Sequence, residues 1–154
     1  MPQETPETPG QPEEEQPISV SPGADVPSLD FFLNMLLNVM GDAAESSATL
    51  TLYYGGAIIS GYAIPDRRWV SLWLDQLASG GVPVGTEAQQ EIENTFDAIR
   101  ASRGDTLDLS HTHRFVNMRD VTVYLGGNQF NIPLWRGRLE QVDGWSMGTF
   151  GPRG

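Results

Sequence analysis

Two stretches of this chain end alike: Thr51-Leu-Tyr-Tyr-Gly-Gly56 and Thr122-Val-Tyr-Leu-Gly-Gly127. In each, strand-favouring side chains alternate and then meet two glycines, which readily take the paired positive φ angles of a tight hairpin turn. A chain with two such turns is committed to antiparallel pairing on both sides of each. The copies lie 71 residues apart (122 minus 51). They do not make a solenoid, which needs at least about three stacked units, and the same turn chemistry used twice accounts for the echo.

The neighbouring elements follow from these anchors. Residues 49–54 and 57–64 read as the first two strands, and Gly61 within the second predicts a bulge or sharp bend. Before them, residues 29–40 read as a helix with Ser28 as N-cap, Asp30 in the first turn and Gly41 as the stop. Phe32, Leu33, Leu36, Val39 and Met40 follow the helical period, while Phe31, Met35 and Leu37 widen the apolar face, either for extra contacts from neighbouring loops over the core or for a second partner. Pro65 ends the second strand, and Asp66 is placed to cap a helix over residues 67–78 that buries Trp69, Leu72, Trp73 and Leu77. A further helix over 87–103 takes Thr86 as cap and Ala88, Ile92, Phe96 and Ile99 as its stripe.

The last third returns to strands. Phe115, Met118, Val121, Val123 and Leu125 mark a strand broken near Asp120. Residues 133–142 and 145–150 follow, with Asp143-Gly144 as a hairpin signal between them. The expected fold is α+β: an N-terminal helix on a strongly bent antiparallel sheet of about five strands, with a two-helix insertion between strands two and three. This layout is similar to Sm-like small barrels, as an analogy of arrangement alone.

Charge and composition narrow the function. The 9 basic and 20 acidic residues give −11, with no lysine and no cysteine. Nucleic-acid and anionic-membrane partners are disfavoured, since both draw affinity from clustered cations. Thiol chemistry and cysteine-ligated metals are excluded. Residues 1–27 hold seven of the eleven prolines and six of the acidic residues, with no basic one. Such a segment buries too little apolar surface to offset its backbone entropy, so a disordered acidic leader is expected, followed by one globular domain over residues 28–151. The leader reads as a solvating tail or linker, and the sharper reading is an electrostatic brush that limits close approach of neighbouring particles. Without a signal peptide or an apolar run of about 18 residues, a soluble cytoplasmic protein is expected.

The search for reaction chemistry finds little. His111 and His113 stand two apart and would share a metal only with a third ligand, for which Asp105 and Asp108 are the nearest carboxylates; paired loop histidines are ordinarily solvated. Ser110 beside them lacks the orienting carboxylate and oxyanion hole of a triad. The glycine pairs are no phosphate cradle, because a P-loop needs a lysine. No catalytic residue, metal site or cofactor is expected.

The polar-aromatic run Trp135-Arg-Gly-Arg138, followed by Glu140, Asp143 and Trp145, is the best candidate for a contact surface. On a strand, Trp135, Gly137 and Leu139 point one way and Arg136, Arg138 and Glu140 the other. Arginine and tryptophan concentrate at interface hot spots, so Arg136, Arg138, Trp135 and Trp145 are candidate partner-binding residues, with Tyr53 and Tyr54 extending the patch. Cross-strand charge pairing of the arginines with Glu140, Asp120 or Asp143, and packing of the tyrosines, are the alternatives.

Three blocks together, Leu50-Thr-Leu-Tyr-Tyr-Gly-Gly-Ala-Ile-Ile-Ser-Gly61, Asn117-Met-Arg-Asp-Val-Thr-Val-Tyr124 and Trp135-Arg-Gly-Arg-Leu-Glu-Gln-Val-Asp-Gly-Trp-Ser-Met-Gly148, resemble the gas vesicle accessory protein family GvpU. The resemblance covers roughly residues 29–150, and its last block is the most specific. It implies a non-catalytic cytoplasmic protein associated with gas vesicles, modulating vesicle assembly or clustering through contacts with the shell, with other gas vesicle proteins or with itself. An assembly adaptor whose N-terminal helix holds apolar shell subunits is the alternative.

Overall fold

The glycine pairs set the sheet. In a computed structural model describing residues 30–104 and 107–151, Gly55 and Gly56 have φ of 56° and 82°, and Gly126 and Gly127 have 57° and 82°. Both turns thus take the same paired positive angles, which close two-residue hairpins whose strands twist to match. The first joins β1 (Ala48–Tyr54) to β2 (Ala57–Ala63), in register from Tyr54 opposite Ala57 to Ala48 opposite Ala63. The second joins β3 (Phe115–Leu125) to β4 (Asn128–Arg138). Strand β4 therefore starts directly after its turn, earlier than residue 133.

Burial along β3 explains its break. Val116 and Met118 are buried on one side of it, Val121 and Val123 on the other. Simple alternation would put Met118 and Val121 on opposite faces, so one extra residue must be absorbed. Asp120 absorbs it at φ 49°, and the β2–β3 register shifts between Ser60 and Tyr62. Gly61 sits at that shift, where a Cβ would lie 2.9 Å from the Arg119 carbonyl oxygen. The bend at Gly61 and the break at Asp120 are one bulge seen from two strands.

The chain leaves β4 through one turn of 3₁₀ helix, Leu139–Gln141, before β5 (Val142–Met147). Strand β5 returns antiparallel to β1, giving the order β4-β3-β2-β1-β5. Three expectations are corrected here. The sheet is open, with β4 and β5 as its edges, and does not close into a barrel. Asp143-Gly144 makes no hairpin: both residues lie inside β5, because the buried Leu139, whose N–H donates to the Arg114 carbonyl (2.9 Å), has already turned the chain. The Asp143 carboxylate instead accepts the Gly55 N–H at 3.1 Å and braces the first turn. The expected strand over 145–150 ends at Met147. Beyond it the chain straps across the sheet, with the Thr51 hydroxyl donating to the Gly148 carbonyl (2.9 Å) and the Phe150 N–H to the Ser60 hydroxyl (2.8 Å).

Among the described residues, three α-helices complete the α+β architecture: α1 (Phe31–Met40) precedes the sheet, while α2 (Asp66–Ser79) and α3 (Thr86–Arg103) lie in the chain between β2 and β3. The N-cap of α1 is Asp30, whose carboxylate accepts the Leu33 N–H at 2.9 Å. The expected cap Ser28 and the expected disordered leader over residues 1–27 lie outside the described residues. Leu33 and Leu37 of α1 enter the core formed by Leu50, Leu52, Ile59 and Met118. Asp66 does not cap α2, and neither α2 nor α3 has a fully buried residue. Trp73, expected inside, is exposed. The link from α2 to α3 is instead ionic: Arg67 pairs with Glu93 and, at 3.0 Å, with Asp97, which holds its guanidinium above the ordinary arginine value chiefly through the Glu93 hydrogen bond.

Candidate contact surface

The two arginines of the Trp-Arg-Gly-Arg run have different fates. Arg136 is held by several partners while staying open to solvent: its Nη1 donates to the Asn117 side-chain oxygen (2.8 Å) and lies 3.4 Å from the Asp66 carboxylate. Its guanidinium carbon stands 4.3 Å from the Phe115 ring centre and 5.3 Å from that of Trp69. Trp69 stacks in turn on Trp73 at 6.1 Å. Planar cation and flat rings form a layered clasp fixing α2 to β3 and β4. Asn117 is buried there, with its amide donating to Asp66. Arg138 remains outside, pairing with Glu140 at 3.1 Å across two exposed side chains.

The aromatics divide similarly. Tyr54 and Trp135 meet edge to face at 5.2 Å, and the Tyr54 hydroxyl donates to the Gln141 side chain (2.7 Å) while accepting the Arg138 N–H (3.2 Å). Trp135 lies over Gly137, where a Cβ would fall 2.2 Å from the indole. Trp145 packs against the core like Trp135. Tyr53 alone of these four is exposed, at 44 %. Of the six candidate residues, the structure brings Tyr54, Trp135 and Arg138 together and leaves Tyr53, Arg136 and Arg138 exposed, with Arg136 engaged in the clasp.

A larger apolar surface stands on α1. The buried residues of this helix are Leu33, Asn34, Leu37 and Asn38, which rotates the expected inner face. Phe31, Phe32 and Val39 are therefore 62 %, 64 % and 59 % exposed, with the two phenylalanine rings in edge contact at 5.5 Å. Two asparagines one turn apart cause the rotation. Asn34 donates to the His111 carbonyl and accepts the His113 N–H, both at 2.9 Å, and Asn38 donates to the same carbonyl at 2.8 Å. Their spacing within an otherwise apolar helix is the one sign of this junction in the sequence.

Beside the junction is a cavity of about 420 Å³, lined by both histidines, Arg100, Arg103, Asp42 and Asp108. The Ser110 hydroxyl donates to Asp108 and holds that carboxyl below its ordinary value, so Ser110 is engaged with an acid and not with a histidine base. Among the described residues, no group of three His, Asp or Glu side chains is placed to hold a metal ion. Among them, too, no helix is long and apolar enough to cross a membrane.

A family model described as gas vesicle protein GvpU-like matches residues 30–150. Among curated proteins and among solved structures, none matches the chain.

Proposed function

Because the chain belongs to the GvpU-like family of gas vesicle proteins, we propose that it is a non-catalytic accessory protein that modulates vesicle assembly or clustering through protein contacts. Its place is the cytoplasm, at the vesicle, and its partners are the shell, other gas vesicle proteins or a second copy. The observation that carries this reading is the outer face of α1. Large apolar side chains held out by a helix whose other face is locked in the core are characteristic of contact surfaces. Tyr53 and Arg138, exposed on the sheet side, supply a second and more polar contact.

Co-sedimentation with purified vesicles tests both. The double substitution Phe31→Ser, Phe32→Ser removes two aromatic anchors and is expected to weaken binding by at least about tenfold. Arg138→Glu, which disturbs only an exposed pair, should weaken it less and mainly at low salt. Binding unchanged in the phenylalanine variant rejects the α1 surface. The same exposed helix favours a second reading, an adaptor that holds apolar shell subunits before they enter the wall. Soluble shell subunit recovered on co-expression with the intact helix, and lost with the phenylalanine variant, selects that reading.

A further inference from the structure

We propose that the seat of α1 is an acid-sensitive latch: protonation of His113 parts the helix from segment 109–113 while the strands of the sheet remain paired. What release does to partner contact rests on the reading that α1 carries the contact surface; the latch itself does not.

The hydrogen bonds fix where the protons are. Asn34 and Asn38 are buried, and the Asn38 amide nitrogen is committed to the carbonyls of His111 and, at 3.4 Å, Leu109. Its side-chain oxygen, 3.0 Å from His113 Nε2, is thus an acceptor, so His113 donates from Nε2. His111 Nε2 lies 3.2 Å from an Arg103 guanidinium nitrogen. Guanidinium only donates, so this Nε2 is the bare, accepting nitrogen. The rings meet edge to face at 4.8 Å. His113 Nε2 thus carries a proton in either charge state, and Nδ1 is the one nitrogen of that ring left to gain one.

An added proton on His113 can land only on Nδ1: the Nε2–H bond to Asn38 survives, but the ring becomes a cation inside the junction, edge to face with His111 and near the Arg103 guanidinium. The groups facing His113 are neutral Asn34 and Asn38 from α1, His111 and Asp108 from its own segment, Arg103 from α3 and Asp66 from α2; Arg100 and Asp42 complete the cavity. Asp66 is already engaged with Asn117 and Arg136, and Asp108 with Ser110. Burial foremost, then His111, push His113 below its ordinary value; an opposing pull from Asp66 follows, and Arg103 adds the smallest push downward. For a base depressed in the seated state, the seating free energy is complete above about pH 6.5 and is lost as the pH falls through the lower, seated-state value.

Amide hydrogen exchange on the full chain at about pH 7.5 and about pH 5, corrected for intrinsic rates, tests the latch. Acid should cut protection of the α1 amides by at least about tenfold while β1 to β3 keep theirs. His113→Gln retains a donor toward Asn38 but cannot titrate, and its α1 protection should depend far less on pH. Should that variant fail to fold, an NMR titration of the native histidines decides: the His113 midpoint should fall below that of a free histidine and coincide with the loss of α1 protection. Acid-insensitive α1 protection, an equal loss in His113→Gln, a loss shared by the sheet, or ordinary titration of His113 overturns the proposal. Co-sedimentation at the same two pH values separates the readings: vesicle binding that ignores pH while exchange responds rejects α1 as the contact surface and leaves the latch standing.

Discussion

Gly61 shows how much a single missing carbon can matter. A methyl group there would press on the backbone oxygens of Arg119 and Asp120 at 2.9 and 3.1 Å, and backbone cannot swing aside as a flexible side chain does. Gly61→Ala is expected to cost about 1–3 kcal/mol, read as a lower urea midpoint with an unchanged slope. This residue was legible in the sequence: glycine inside a strand, facing a partner whose apolar phase slips between Met118 and Val121, announces a bulge. The roles of Asn34 and Asn38 were not legible. Their partners lie more than seventy residues away, and only the folded chain shows that these amides, more than the apolar count, choose the inner face of α1.

At the scale of elements, local chemistry predicted what local chemistry decides. Both Gly-Gly hairpins, the helices and the break in β3 follow from turn preference and periodicity. Asp143-Gly144 misled because a turn signal acts only where both flanks pair with each other, and here the flank before it is spent on a 3₁₀ turn. The face of α2 misled for a related reason: Trp69 and Trp73 read as core residues, yet they build a stack outside the core that is anchored by Arg136. Sequence pattern grouped Arg136 with Arg138, since both leave the strand on one side. Their environments now predict opposite outcomes. Arg136→Ala removes the central layer of the clasp and strips Asn117 of a partner, so it should cost about 1–3 kcal/mol and loosen α2 before the sheet in hydrogen exchange. Arg138→Ala, which loses only an exposed pair, should stay within about 0.5 kcal/mol in the same denaturation experiment.

For the whole molecule, charge is distributed unevenly along the chain. Residues 1–27 contribute −6 of the total −11, and the remainder −5. Like-charged segments repel over about 10 Å at 0.1 M salt and over about 30 Å at 0.01 M. Deleting residues 1–27 should therefore increase vesicle clustering, most at low salt, as measured by light scattering; clustering that is unchanged or reduced counts against a spacing role for that charge. The order of strands carries another consequence. Because β5 lies beside β1, a ribosome must make all of residues 55–141 and then β5 itself before the first hairpin gains its outer neighbour. Until then Leu52 awaits the tryptophan of its opposite number, Trp145, and the newborn chain carries an unfinished sheet while residues 55–141 are added. Long-range closure of this kind sets a slow final step in folding, and makes the interval between translation and completion the time when a chaperone has most to protect.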